Sequence, residues 1–191
     1  PGMHYALVGE NGCGKTTLVK LLLGLYKPTE GRVLVGGKDA SRFSPDERIR
    51  LFSVVFQDFY RYPLSIRENI SLGKEEPQDT EALLNVLDVL GFEAPVRLKE
   101  NGLDTNLGLL KHESSNLSGG EWQKIAVARS ILSSARIVVL DEPNAALDPV
   151  SEMAFYKVYE EVFASRMTLF ISHRLGAVKT ADCILVIKDN H

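Results

Sequence analysis

The sequence predicts an α/β protein with a mostly parallel sheet, an inserted helical lobe and a small antiparallel edge piece. Short apolar strands alternate with helical patterns near both ends of the chain, which is typical of a parallel sheet. A glycine-rich segment, Gly9–Thr16, joins the first predicted strand directly to the first predicted helix. A mainly helical stretch then interrupts the alternation. We therefore predict one domain of two lobes, a core lobe from 1–57 and 135–191 and a helical lobe from 58–134.

The first elements flank the glycine-rich segment. Tyr5–Val8 is a short apolar run that predicts a buried strand, and Thr17–Leu23 predicts a helix closed by Gly24. Further on, Arg32–Val35 is followed by Gly36 and Gly37, and this pattern predicts an antiparallel edge piece.

Two helix starts carry the pattern of a capping box. In Ser44–Glu47 a serine cap is followed by proline at the first helical position and by glutamate three residues after the cap. Ser65–Glu68 repeats the serine and glutamate and opens a short helix. Between them, Leu51–Phe56 predicts a strand that is covered on both faces.

The middle of the chain is mainly helical. A helix over Thr80–Leu90 is predicted to stop at Gly91, and Gly102–Asn116 has no clear period and predicts a loop. Leu117–Glu121 then opens a helix that runs to about Ser133. The first helix carries an apolar stripe at helical spacing that favours core packing over binding, formed by Ala82, Leu83, Val86, Leu87 and Leu90.

From Ile137 the pattern becomes strand, helix, strand. Ile137–Leu140 predicts a buried strand and Val150–Ala164 predicts a helix. Two further buried strands are predicted over Thr168–Ile171 and Ile184–Ile187. The alternation completes the predicted parallel sheet.

Composition excludes several classes of protein. The 191 residues are 45% hydrophobic and 25% charged, as in an ordinary soluble domain. A net charge of −3 gives no case for general nucleic-acid or membrane-surface binding. Two distant cysteines predict neither a disulfide framework nor a zinc site, and no apolar run is long enough to span a bilayer. The ends, at Pro1 and His191, are expected to be cuts through a larger domain.

Gly9–Thr16 fits the pattern G-x-x-x-x-G-K-[ST] of a phosphate-binding loop. Its glycines allow a tight turn whose N–H groups face an anion, and the following helix adds its positive N-terminus. Lys15 supplies a cation for the β- and γ-phosphates, and the Thr16 hydroxyl can bind Mg²⁺. The alternative is a chance glycine-rich turn, but the strand–loop–helix context favours a nucleoside triphosphate.

Polar residues follow the predicted strands at the edge where the loop begins. Asp141 can hold Mg²⁺ and Glu142 can polarise an attacking water, although a solvated acidic turn is the simpler alternative. His173 follows the next strand within reach of the γ-phosphate, where a structural histidine is also common. Gln57 can reach Mg²⁺ or the water through its carbonyl oxygen.

Ser118–Glu121 marks a second helix N-terminus with glycines, and hence a second potential anion site. A capping box would explain Ser118 and Glu121 but not the glycines, which cost a helix roughly 1 kcal/mol each. The glycines make sense if a phosphate approaches the backbone. One chain has one phosphate loop, so a second copy of the domain would have to supply that phosphate.

Together these motifs resemble the ATP-binding domain of ABC (ATP-binding cassette) proteins, which have the P-loop NTPase fold. Gly9–Thr16 is similar to Walker A, Gln57 to the Q-loop and Leu117–Glu121 to the LSGG signature. Ile137–Glu142 is similar to Walker B. Two shorter matches complete the family order: Ala146-Leu147-Asp148 with the D-loop and His173 with the switch histidine.

The resemblance implies a head-to-tail dimer that holds two ATP molecules with Mg²⁺ between its subunits. It implies Glu142 as general base, with His173 and Gln57 also catalytic, and Mg²⁺ on Thr16, Gln57 and Asp141. The residues that it assigns to nucleotide binding are Gly9, Glu10, Asn11, Gly12, Cys13, Gly14, Lys15, Thr16, Thr17, Ser118, Gly119, Gly120 and Asp148.

Two segments resemble the transporter branch of the family, in particular its exporters. Asp58–Ile70 is similar to the segment that docks the membrane domain, and Gly102–Gly108 is similar to the exporter subgroup. The resemblance implies transport powered from the cytoplasmic side of the membrane. One alternative is a non-transport ABC ATPase acting on nucleic acid or ribosomes, but no heptad run or basic block supports it. Another is a module that binds ATP without hydrolysing it, which the presence of Glu142 and His173 opposes.

Overall fold

A computed structural model of the chain describes residues 2–74, 78–108, 117–143, 149–172 and 175–188. The strands in these ranges are β1 His4–Gly9, β2 Leu34–Val35, β3 Lys38–Asp39, β4 Phe52–Val55, β5 Ile137–Asp141, β6 Met167–Ile171 and β7 Cys183–Ile187. The helices are α1 Lys15–Leu22, α2 Pro45–Leu51, α3 Ile66–Ile70, α4 Thr80–Val89, α5 Glu93–Arg97, α6 Gly119–Leu132, α7 Pro149–Phe163 and α8 Leu175–Lys179. Two short 3₁₀ turns cover Ala40–Arg42 and Gly102–Asp104.

In the described part of the chain, five strands form a parallel sheet in the order β4-β5-β6-β1-β7. This arrangement confirms the predicted α/β class. Ile171 of β6 lies opposite both Asp141 of β5 and Leu7 of β1, so these three strands end at one edge of the sheet. The small β2–β3 pair is antiparallel, as predicted, and turns at Gly36 and Gly37.

The sheet and α1 share an apolar core. Val19 of α1 is fully buried against the sheet residues Leu7, Val139 and Ile171. Such burial contributes roughly 1.5–3 kcal/mol for each large apolar side chain, which holds the start of α1 at the end of β1. The loop between β1 and α1 is therefore anchored at both of its ends.

The strand β7 corrects one prediction, because it is not a buried strand. Ile184, Leu185 and Val186 are 47%, 42% and 66% exposed. Within the described sheet, β7 lies at the edge and pairs with β1 alone. An apolar run predicts a strand but not the position of that strand in the sheet. The position decides how far neighbouring elements bury its side chains.

The strand β4 is shorter than predicted and is only partly covered. Leu51 ends α2, and the strand runs over Phe52–Val55. Phe52 and Val55 are buried, while Ser53 and Val54 are half-buried. Because β4 also lies at an edge of the described sheet, neighbours cover it less completely than they cover an inner strand.

The predicted helix starts at Ser44, Ser65 and Ser118 are all confirmed. In each, the serine hydroxyl accepts a hydrogen bond from the backbone N–H of the glutamate three residues later. The glutamate side chain in turn accepts one from the serine N–H. Each box satisfies donors that a helix N-terminus otherwise leaves unpaired.

Sequence patterns missed two short helices, α5 and α8, because five residues are too few to show a helical period. The 3₁₀ turn at Gly102–Asp104 lies in the segment predicted to be a loop. In α4, Leu83, Leu87 and Leu90 are buried, Val86 is half-buried and Ala82 is exposed. The apolar stripe of α4 is therefore narrower than predicted.

The chain groups into two compact units. The first comprises 1–56, 134–142 and 163–191, and the second comprises 57–133 and 143–162. The grouping differs from the predicted lobes mainly in the segment 143–162, which the prediction assigned to the core lobe. The prediction followed the strand–helix order of the chain, and its lobe boundaries stay a prediction.

The second unit is built around α6. Trp122, Ile125 and Ala128 of this helix are buried, and α3 and α4 pack against it. Leu83 and Leu87 of α4 are fully buried. Among the described helices, none combines the length and the hydropathy needed to cross a bilayer.

Candidate functional site

The loop between β1 and α1 has the backbone of an anion site. Gly12 and Gly14 have φ values of 83° and 96°, a left-handed region in which other residues are strained. A Cβ added at either position would meet nothing within 4 Å, so conformation rather than crowding requires glycine there. Gly14 is also the N-cap of α1 and gives the helix no side-chain cap. The first N–H groups of α1 are thus left for a ligand.

Gly9 is required for a different reason. A Cβ at Gly9 would lie 2.6 Å from the Ile187 carbonyl oxygen and 2.7 Å from Cys13 Sγ. The close approach of β7 therefore excludes a side chain at the start of the loop. The sequence predicted a glycine that lets the backbone approach an anion, and the structure adds a contact within the sheet.

Lys15 is a buried cation at the base of the loop, with 8% of its surface exposed. Its Nζ donates hydrogen bonds to the carbonyl oxygens of Gly9 and Glu10, each at 2.8 Å. Cys13 Sγ lies 4.0 Å from the same nitrogen. An ammonium has three N–H donors, and a sulfur is a weak acceptor, so a phosphate oxygen can replace the contact with Cys13.

Thr16 and Asp141 are 125 positions apart in the sequence, and the fold brings them together. Thr16 Oγ1 donates to Asp141 Oδ2 at 3.0 Å, and Asp141 is 3% exposed at the end of β5. A hydroxyl and a carboxylate oxygen are the donors that Mg²⁺ takes from proteins beside phosphate oxygens. This pair therefore fits the ion predicted from the sequence. Among the described residues, no group of three or more His, Cys, Asp or Glu side chains is arranged to hold a metal.

Glu142 has an unusual backbone. Its φ is 48°, the one positive value of a non-glycine residue in the described ranges. Its N–H donates to the Ile171 carbonyl oxygen at 2.9 Å, which ties the turn to the end of β6. Strain of about 1–3 kcal/mol of this kind persists where the surroundings enforce it, often at functional sites.

The ends of β6 and β1 also meet. Ser172 is 2% exposed and its N–H donates to the Leu7 carbonyl oxygen at 3.4 Å. His173 follows Ser172 in the sequence and lies outside the described residues, as does Asp148. Their predicted positions stay predictions.

Gln57 and the signature residues belong to the second compact unit. Gln57 is exposed and comes two positions after the last residue of β4. At the start of α6, Ser118 Oγ accepts from Glu121 N at 3.3 Å, and Glu121 Oε2 accepts from Ser118 N at 2.7 Å. Gly119 is exposed and Gly120 is half-buried. The capping box explains Ser118 and Glu121, and the contact predicted between the two glycines and a phosphate stays a prediction.

The sequence analysis missed a buried polar pair in the second unit. Asn69 is fully buried, and Arg129 donates to both its backbone and its side-chain oxygen. In the sequence Asn69 directly follows Arg67 and Glu68, so its local pattern is that of an exposed polar residue and gave no signal of burial.

The site now defines a class of protein. A glycine-rich loop between a parallel strand and a helix, a buried lysine within it, and a threonine paired with a strand-end aspartate define a P-loop nucleotide-binding domain. A family model described as "ABC transporter" matches residues 1–145, and the chain belongs to that family. The match confirms the predicted family and the predicted P-loop NTPase fold.

Relatives across nearly the whole chain bear the names of transport proteins. The nisin transport ATP-binding protein NisT of Lactococcus lactis subsp. lactis is 45% identical over 98% of this chain and 32% of its own length. The subtilin transport ATP-binding protein SpaT of Bacillus subtilis is 38% identical over 97% of this chain and 30% of its own.

A solved structure of a bacterial Atm1-family ABC exporter with ATP bound superposes with a TM-score of 0.90 at 29% identity. The superposition covers 99% of this chain and 33% of that one. The chain thus spans about a third of the length of the relatives it matches. As a member of this family, it is an ATP-binding domain.

Proposed function

We propose that this domain hydrolyses ATP with Mg²⁺ to power export by a membrane ABC transporter. The contact between Thr16 and Asp141 at the sheet edge, next to the left-handed Glu142, is the observation that carries the proposal. Thr16 and Asp141 provide two oxygen ligands suited to Mg²⁺, and Glu142 follows Asp141 directly in the chain. All three lie at the edge of the sheet where the phosphate loop begins. The names of NisT and SpaT, both transport proteins, support the coupling to transport.

The phosphate loop holds the nucleotide in this proposal. The N–H groups at the open start of α1 bind phosphate oxygens, and Lys15 lies against the β- and γ-phosphates. Thr16, Asp141 and Gln57 hold Mg²⁺, which when bound neutralises the charge that develops on the phosphates. The residues that contact the nucleotide within one copy are Gly9, Glu10, Asn11, Gly12, Cys13, Gly14, Lys15, Thr16 and Thr17.

Glu142 acts on the attacking water. Glu142 has a left-handed backbone directly after Asp141, the residue that we assign to Mg²⁺, and we give the two carboxylates separate roles. Glu142 orients the water and accepts its proton, His173 contacts the γ-phosphate, and Gln57 links the ion and the water. Lys15 stabilises the charge on the transferred phosphoryl group.

The domain acts as a head-to-tail dimer in which each ATP lies between two copies. The core lobe of one copy supplies the phosphate loop, and the helical lobe of the other supplies Ser118, Gly119 and Gly120. Asp148 communicates between the copies. One copy alone leaves its γ-phosphate without the signature contacts, so hydrolysis depends on dimerisation.

The transmembrane domain docks near residues 58–70, on the cytoplasmic side of the membrane. Tyr60 is 67% exposed and Tyr62 is 37% exposed in this segment, and an exposed aromatic pair suits a protein interface. A net charge of −3 supports a protein partner over nucleic acid.

The test is Glu142→Gln in the full-length protein, with Glu30→Gln as a control at an exposed turn. Without its base, hydrolysis falls about 100-fold or more, the usual contribution of general base catalysis. ATP binding persists and an ATP-bound dimer accumulates, as measured by size-exclusion chromatography with radiolabelled ATP. Turnover equal to that of Glu30→Gln would remove Glu142 from this role.

A further inference from the structure

Arg129, in the last turn of α6, has an unusual set of partners. Its Nε donates to the Asn69 carbonyl oxygen at 2.7 Å and its Nη2 donates to Asn69 Oδ1 at 2.6 Å. Its Nη1 lies 3.4 Å from the Tyr60 carbonyl oxygen, and its guanidinium lies 5.2 Å from the centre of the Tyr62 ring. Burial lowers the pKa of Arg129. In the described ranges no carboxylate forms an ion pair with it, so its charge is held by carbonyl dipoles and a ring.

Asn69 extends this network on its other side. The two N–H groups of its Nδ2 are shared among three carbonyl oxygens, those of Tyr62, Leu64 and Ser65, at 3.1, 3.1 and 3.0 Å. Arg129 and Asn69, hereafter the Arg129–Asn69 pair, therefore bind five backbone carbonyls between Tyr60 and Asn69.

Residues 58–64 form neither helix nor strand, so no regular ladder of backbone hydrogen bonds fixes their path. The Arg129–Asn69 pair supplies donors to every second carbonyl from Tyr60 to Leu64 and so determines the path of the segment. The rings of Tyr60 and Tyr62 lie 4.8 Å apart on this path.

The helix α6 joins this segment to the signature. Its first residues are Gly119 and Gly120, and Arg129 lies about 15 Å along the helix at the usual rise per residue. Beyond Arg129, Lys74 Nζ donates to the Leu132 carbonyl oxygen at the last residue of α6. Because Arg129 and Leu132 connect the end of α6 to residues 60–74, we expect a displacement of the helix to move the segment as well.

We propose that Arg129 and Asn69 are positioning residues that pass ATP-dependent movement of α6 to residues 58–64. This inference rests on the proposed function, in which the signature contacts ATP and the segment docks the membrane domain. The pair touches neither ATP nor membrane. It converts a shift at the signature into a shift of the exposed Tyr60 and Tyr62.

The test measures hydrogen exchange of residues 58–64 in the full-length protein, with and without MgATP, for Arg129→Lys. Lysine keeps the charge but loses the planar fork that reaches Asn69 and Tyr60 together. The control is Lys124→Ala, on the same helix, whose Nζ donates to the Gly91 carbonyl oxygen at 3.1 Å. ATPase rate and KM for ATP are measured in parallel.

In Arg129→Lys we expect residues 58–64 to exchange about tenfold faster, the factor for loss of one hydrogen bond. We also expect their response to MgATP to disappear, with KM for ATP unchanged within about twofold. Lys124→Ala keeps the response. A response retained in Arg129→Lys, or lost equally in Lys124→Ala, would overturn the proposal.

If Arg129→Lys fails to fold, Asn69→Asp decides between the same outcomes. Aspartate keeps the acceptor for Arg129 but loses the N–H groups that Asn69 donates to the carbonyl oxygens of Tyr62, Leu64 and Ser65. If Asn69→Asp keeps its ATPase activity but hydrogen exchange of residues 58–64 no longer changes with MgATP, the positioning role of the Arg129–Asn69 pair is supported. A normal change of exchange with MgATP rejects that role. Absence of ATPase from the unsubstituted protein would instead reject the proposed function.

Discussion

The chain has two helix N-termini marked by glycine, and they are built in opposite ways. At α1, Gly14 is the N-cap and no side chain accepts from the first N–H groups. At α6, Ser118 and Glu121 form a complete capping box in front of Gly119 and Gly120. The N-terminus of α1 leaves its N–H groups open to a ligand, whereas the N-terminus of α6 is capped by its own side chains.

The difference indicates how each start can bind phosphate. At α1 the open N–H groups, the left-handed Gly14 and the buried Lys15 would all bind an anion from within one chain. At α6 a ligand can add contacts with the glycine backbone but must compete with the cap for the serine. We therefore expect substitutions at α1 to weaken nucleotide binding itself and substitutions at α6 to weaken only the later, dimer-dependent step.

The largest effect is expected for Lys15→Met. Loss of charge-assisted contacts costs roughly 1.5–3 kcal/mol, so ATP affinity falls about tenfold to a hundredfold, measured by calorimetry. The matched control is Lys20→Met in the last turn of α1, where Lys20 lies over the Tyr26 ring instead. Equal affinities for the two variants would show that α1 binds ATP without its buried cation.

Gly14→Ala is the next largest change. A side chain in the left-handed region costs roughly 1–2 kcal/mol, so the thermal midpoint falls. Gly37→Ala is the control, since Gly37 has a φ of 82° in the β2–β3 turn and also has nothing within 4 Å. Both variants lose similar stability in thermal melts, but only Gly14→Ala loses ATP affinity. A similar affinity loss in Gly37→Ala would show that the effect is general destabilisation.

Ser118→Ala separates capping from catalysis. Removal of a serine cap costs typically about 1 kcal/mol, and Ser44→Ala removes the same kind of capping box from α2. Both variants therefore lose similar stability. Only Ser118→Ala is expected to slow hydrolysis and ATP-dependent dimer formation, as followed by ATPase assay and chromatography. Identical ATPase rates in the two variants would show that Ser118 only caps α6 and has no role in hydrolysis.

The smallest effect is expected at the capping box of α2, the control for the capping box of α6, and it concerns the pH dependence of stability. Hydrogen bonds from Lys38 and from the Ser44 N–H lower the Glu47 pKa from 4.5 to about 2. Because the pKa is lower in the folded state, the contribution to stability is complete above pH 4.5 and disappears as the pH falls to about 2. Thermal midpoints of wild type and Glu47→Gln should thus converge over that interval. Added salt should shrink their difference, since the pair is exposed, and a constant difference would contradict the prediction.

The sequence predicted the parts of this protein that depend on neighbouring residues. The loop pattern, the capping boxes at Ser44, Ser65 and Ser118, and the glycine stops are local, because each involves residues a few positions apart. The proximity of Thr16 and Asp141 could also be predicted from the sequence, because the carboxyl ends of parallel strands lie at one edge of a sheet.

Tertiary structure decided what depends on distant segments. Exposure of β7 follows from its place at the edge of the described sheet, and the need for glycine at Gly9 follows from the Ile187 carbonyl. The Arg129–Asn69 pair joins residues 60 positions apart. No local pattern encodes such contacts, because burial and hydrogen-bond partners are set by which segments the fold brings together.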